Sequence, residues 1–250
     1  SLSLLLVPQV WRAMQVMSIK RGLELLGIGI IVSLHWVMFY GSVKYANVSV
    51  TLSCMATASF FTALVEPVIT KKRMQLYELG LGLLIVPGIY LIFYFSHLSV
   101  AGIVMGLAAA LLAAVFASFN KRMVADQDAL TMTFVELGGG LIFLSALLPL
   151  YWQFFPEATL SPAPLDLIYL VLLALLCTTF AYVLSIHALK QLTAFANAMT
   201  INLEPIYGIL LAFAIFQENQ AMDNRFYLGT SLVLLAVFLH PIIEHLLRRQ

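Results

Sequence analysis

Thr200-Ile201-Asn202-Leu203-Glu204-Pro205-Ile206-Tyr207-Gly208 sets a carboxyl beside a proline near the middle of an apolar stretch running from Ala194 to Phe216. A stretch of that length crosses ~30 Å of hydrocarbon as a helix. A charge at bilayer depth costs at least ~2.5 kcal/mol, so Glu204 is expected to face a polar cavity rather than lipid. Proline deletes one backbone N–H and frees the carbonyl of Ile201, a group that hydrocarbon cannot satisfy. Together they predict a broken helix lining a pathway.

The rest of the chain has the composition of a membrane protein. Hydrophobic residues make up 62% of the 250 and charged ones 10%, too apolar for a soluble domain to cover its own surface. A net charge of +1, with no basic run longer than Lys71-Lys72-Arg73, excludes nucleic acid as a partner. Cys54 and Cys177 both fall inside apolar segments, so no disulfide framework is implied.

Eight apolar segments of about 20 residues or more follow the N-terminal region: 23–43, 48–70, 76–95, 101–120, 130–152, 165–189, 194–216 and 226–247. The short apolar run Leu2 to Val7 reads as the tail of a further helix whose beginning is absent. Short loops make consecutive helices antiparallel, and the cations then fix the sidedness. Arg12, Lys20, Arg21, Lys71, Lys72, Arg73, Lys121, Arg122, Lys190, Arg248 and Arg249 fall on one face, leaving Lys44 and Arg225 on the other. That asymmetry of 11 to 2 places the C-terminus in the cytoplasm of an integral membrane protein, with a bacterial inner membrane as the expected location.

Sliding the second half back by 146 residues lays 165–189 on 19–43 and 194–216 on 48–70, and brings Lys190 onto Lys44. The two lysines fall on opposite faces, as an inverted-topology repeat with an odd number of helices requires. The same offset implies that one helix and roughly 45 to 50 residues are missing from the front, for a complete 5+5 arrangement of ten helices. Gly102, Gly106 and the alanines that follow, with Gly138-Gly139-Gly140 on the next segment, are spaced for close helix packing.

The sequence resembles the EamA-type families of the drug/metabolite transporter superfamily. The resemblance is carried by Tyr40-Gly-Ser-Val-Lys44-Tyr45-Ala, by Ile186-His187-Ala188-Leu189-Lys190, by Asn202-Leu203-Glu204-Pro205-Ile-Tyr207-Gly208 closing at Gln217-Glu218, and by Tyr227-Leu228-Gly229. It implies an all-α polytopic bundle of two repeats, 1–97 and 98–250, the first truncated. Two departures stand out: Ser59 occupies the position of an expected proline in the first repeat, and Lys72 that of the trailing glutamate. A less kinked helix is therefore expected there.

On the 194–216 helix, Asn197, Thr200, Glu204, Tyr207 and Gly208 recur at steps of three and four, which predicts one polar face. Glu204 on that face would bind a substrate cation, take up a proton, or cap the backbone freed by Pro205. Trp36, Tyr40 and Lys44 form an i, i+4, i+8 line, with Thr178, Tyr182 and Ser185 on the repeat-related helix, and such groups suit an amphipathic organic substrate. Trp36 and Tyr182 serve equally as packing residues. His35 is a second proton-coupling candidate, or a packed, hydrogen-bonded histidine. Glu136 is expected to bond between helices, and Glu66 to snorkel toward the Lys71 cluster.

Enzyme motifs fail. His240 to His245 is not H-E-x-x-H, no glycine-rich phosphate loop precedes a lysine, and no serine–histidine pair has a compelling setting. Asn47-Val48-Ser49 matches a glycosylation sequon but lies too close to the membrane to be used as one. The expectation is a non-enzymatic, monomeric secondary transporter that exports a small organic metabolite by alternating access and needs no cofactor or metal. The competing reading is a membrane scaffold that uses the same fold without transport.

Overall fold

The computed structural model describes the chain apart from residues 1–3, 5–6, 82–86, 89–90, 92–98, 157–160, 202–203, 218–223 and 248–250. The described residues are almost entirely helical, with no strand among them. In order they form α1 (Pro8–Val16), α2 (Ile19–Tyr45), α3 (Val48–Met55), α4 (Ala58–Thr70), α5 (Val100–Met123), α6 (Ala129–Phe154) and α7 (Pro164–Leu172), then a π-helical segment Leu173–Phe180. They continue with α8 (Ala181–Ala188), α9 (Ala194–Ile201), α10 (Glu204–Phe216) and α11 (Asn224–Leu247). Among the described residues five spans, Ile19–Tyr45, Val48–Thr70, Val100–Met123, Ala129–Phe154 and Pro164–Ala188, are long and apolar enough to cross a membrane. Most of the expected 76–95 segment, like much of the run before Pro8, lies outside the described residues.

Helix α1 replaces what the sequence suggested was a loop around Arg12. Pro8 opens it, a position where proline's fixed φ and missing N–H are tolerated, and Val10 is buried where α1 packs on α6.

Two compact units share the chain. The first holds Ser1–Ser33 and Met123–Gln191, the second Leu34–Arg122 and Leu192–Gln250. In the first, α2 and α6 approach at backbone distance. A Cβ added at Gly29 would strike the Glu136 carbonyl, one at Gly139 would meet Leu26, and one at Gly140 would meet Ser33. Ser33 Oγ folds back to donate to the Gly29 carbonyl at 2.9 Å, which removes its polar group from the seam. The expected close approach at the glycine run thus holds for Gly139 and Gly140, whereas Gly138 faces open space. Arg21 donates to Asp126 at 2.7 Å and to Glu24 at 3.3 Å, tying the start of α2 to the turn after α5.

The second unit carries the segment α3–α4, which breaks at Ala56-Thr57, and the segment α9–α10, whose expected interruption before Pro205 falls on residues 202–203, outside the described residues. The start of α9 and the end of α10 lie 146 residues after the start of α3 and the end of α4. Helix α3 packs on α10 and α4 on α9, so the two segments run antiparallel. Val50, Cys54 and Ile103 form a buried cluster with Phe213 against it, and Gly208 lies where a Cβ would meet Leu52.

The proline missing at Ser59 does not leave the first of these segments continuous. Thr57 turns its N–H onto the Cys54 carbonyl at 3.0 Å and its hydroxyl onto the same oxygen at 2.6 Å, while Ser59 Oγ donates to Ala56 at 3.3 Å. Hydroxyls compete for helix carbonyls and tighten the turn, doing here what a proline does elsewhere. The backbone stays right-handed through the break.

Asn47 caps α3, its side-chain oxygen accepting from Val50 N at 2.9 Å, so the asparagine of the sequon is engaged in folding. Asn47→Ala should lower stability by about 1 kcal/mol, read from thermal melts in detergent.

Candidate functional site

The candidates divide between the two units. In the second, the expected polar face of α9–α10 is exposed only in part. Asn197 is buried and Gly208 packs on Leu52, whereas Thr200, Glu204 and Tyr207 are exposed, Tyr207 by 66%. Thr200 returns its hydroxyl to the Ala196 carbonyl at 3.0 Å, and Glu204 is the first residue of α10. Below them Leu211 and Ile215 continue the exposed side. A carboxylate therefore stands on an accessible, largely apolar flank at mid-span.

On α2, in the same unit, His35 is buried and its Nδ1–H donates to the Ala109 carbonyl at 2.8 Å. A carbonyl only accepts, so this bond fixes a proton on Nδ1. Phe116 meets the imidazole edge-on at 5.5 Å and Phe39 lies at 6.1 Å. Trp36 is half-buried, and Tyr40 is 53% exposed with its ring edge-on to Phe39 at 5.3 Å.

In the first unit, Thr178 falls within the π-helical segment and Tyr182 follows it. Thr179 Oγ1 donates to the Ala174 carbonyl five residues back at 2.8 Å, the reach of a π turn rather than an α turn. Such segments are frequent at functional sites, and nothing in the apolar run announces this one. Tyr182 donates its hydroxyl to Glu136 at 2.6 Å, and Glu136 has no exposed surface. Glu136 thus bonds between helices as anticipated, with a candidate site residue as its partner.

Glu66 does not snorkel. It is buried, and its two carboxylate oxygens accept from the backbone N–H groups of Ala194 at 3.1 Å and Phe195 at 2.7 Å. The first amides of α9 lack intrahelical partners, and inside an apolar contact between α4 and α9 they hold a carboxylate more firmly than hydrated lysines do. Ala63 and Phe195 close over the contact. Thr193 Oγ1 takes the third amide, Ala196 N, at 3.0 Å, which completes the cap.

The model of the EamA-like transporter family matches residues 100–240. The chain belongs to this family. In this EamA-like chain the match runs from α5 into α11 and takes in Glu136, Thr178, Tyr182, Asn197, Thr200, Glu204 and Tyr207, while His35, Trp36 and Tyr40 lie before it. A search of the curated proteins finds no match. Family and apolar spans together make the EamA-like chain an integral membrane protein of a transporter family rather than of an enzyme family.

Proposed function

We propose that the protein is a secondary-active transporter that moves a small organic metabolite outward across a bacterial inner membrane, by alternating access of two inverted repeats, 1–97 and 98–250. The observation that carries this reading is the face of Thr200, Glu204 and Tyr207, exposed in the middle of the apolar stretch 194–216 in a chain of this family. Against lipid the carboxylate costs at least ~2.5 kcal/mol, and against a polar path it has a use. Trp36 and Tyr40 with Thr178 and Tyr182 supply apolar bodies with polar tips for the substrate, Asn197 braces the face from behind, and His35 is a second proton-handling group. The protein acts as a monomer.

Inverted topology is supported by the antiparallel packing of α3–α4 with α9–α10 and by their shared 146-residue offset. A cytoplasmic C-terminus is supported by which helix ends meet. Arg21 joins the turn after α5, Lys121 lies within electrostatic reach of Lys72 and Glu66, and Glu66 holds the helix that begins after Lys190. Each of these contacts pairs ends that the cation count puts on one face.

Proton coupling through Glu204 gives the test. A metabolite that raises the melting temperature of the purified protein is loaded into proteoliposomes, and its movement is followed under an imposed pH gradient. Glu204→Gln should abolish gradient-driven movement by roughly tenfold or more while leaving the melting temperature unchanged. Full pH-dependent movement by the variant would rule out coupling at this carboxyl. No movement of any stabilising metabolite by the unmodified protein would remove the transport reading itself.

A further inference from the structure

We infer that Glu66 is a positioning residue that fixes the α9–α10 arm to α4, so that the exposed face of Thr200, Glu204 and Tyr207 is set by a side chain from the other repeat. Helix α9 carries Asn197 and Thr200, so the placing of the face depends on what grips the Ala194 end. At the N-terminal end the grip is complete: Glu66 takes two amides, Thr193 a third, and the carboxylate is sealed by Ala63 and Phe195. Of these, Glu66 is the only group from another helix.

The carboxylate suits this task because it has two oxygens for two amides and a charge that complements the positive end of the helix dipole. Lys121 lies within its electrostatic reach, which moderates the cost of burying it. At the other end of the arm, α10 is held along its length by α3 through Leu52 at Gly208 and through Phe213 on the Val50 and Cys54 cluster. The α9–α10 segment is thereby gripped at its Ala194 end by α4 and along α10 by α3. Releasing Glu66 leaves the grip along α10 in place and loosens the Ala194 end, which shifts Thr200, on the α9 side of the face, more than Tyr207.

This role presupposes that the face meets substrate, so the experiment reads the position of the arm and not transport, and the two readings can fail separately. In the intact chain, with Cys177 replaced by serine, a single reporter cysteine is placed at Thr200, or at exposed Val37 on α2 as the control. Maleimide labelling rates and amide hydrogen exchange are compared with and without Glu66→Ala. The expected result is exchange at Ala194 and Phe195 faster by about tenfold or more, with labelling at position 200 altered and labelling at position 37 unchanged. Unchanged exchange overturns the inference. So does faster exchange with unchanged labelling at 200, which reduces the contact to a local cap, and so does an equal rise at 200 and 37, which marks general loosening. If Glu66→Ala fails to fold, Glu66→Gln, with one carbonyl oxygen for two amides, carries the same readouts with a smaller shift in the same direction.

Discussion

Gly29→Ala should destabilise the protein by about 2 kcal/mol, and Gly29→Leu should prevent accumulation of folded protein in the membrane. A Cβ at this position would land on the backbone carbonyl of Glu136, so no side-chain rotation relieves the clash and α2 and α6 must part. Separation would also loosen the neighbouring contacts of Gly139 with Leu26 and Gly140 with Ser33 along the same seam. In lipid this matters more than in water, because helix association rests on close packing rather than on a hydrophobic driving force. Gly27 and Gly138 provide the internal contrast, since a Cβ at either meets nothing within 4 Å. Alanine there should be neutral or stabilise by up to about 1 kcal/mol through helix propensity. Unfolding in detergent of the three alanine variants measures all of these at once. A Gly29→Ala protein as stable as Gly27→Ala would refute the seam.

What the sequence disclosed follows from which interactions are local. Spans are legible because hydrocarbon thickness demands about 20 apolar residues, and Ile19–Tyr45, Val48–Thr70 and Pro164–Ala188 lie close to where composition put them. The interruption at Ala56-Thr57 is not legible, since threonine and serine hydroxyls bend a helix only when they choose the carbonyls behind them. The π segment is illegible for a similar reason. Leu173 to Phe180 offers the same apolar letters whether its bonds close after four residues or five. Helical spacing predicted a single face from Asn197 to Gly208, but spacing does not say which neighbours cover it: Asn197 is buried and Gly208 packs on Leu52, while Thr200, Glu204 and Tyr207 stay exposed. Glu66 defeats local reading altogether. One turn away stand lysines that invite snorkelling, while its partners lie 128 and 129 residues downstream and become visible only when α4 meets α9.

Tyr182→Phe should lower stability by about 1.5 to 3 kcal/mol, the cost of removing a hydrogen bond from a buried carboxylate. The bond is short, 2.6 Å, and Glu136 has no exposed surface through which water could replace the lost hydroxyl. Glu136→Leu alone should also destabilise, because it leaves the Tyr182 hydroxyl without its acceptor. Combined, the two substitutions should recover most of the loss, since apolar groups of similar volume in place of both partners leave neither one stranded. The coupling energy from that double-mutant cycle separates a polar clamp from two independent packing residues, for which the losses would add. The clamp also bears on the candidate site. Tyr182 sits directly after the π segment that carries Thr178, so its bond to α6 anchors the end of the one described helix whose winding departs from α geometry. Loss of the bond should therefore raise amide exchange in Leu173–Phe180 more than in α5. Equal effects on both would show that Glu136 and Tyr182 stabilise the bundle without governing the segment.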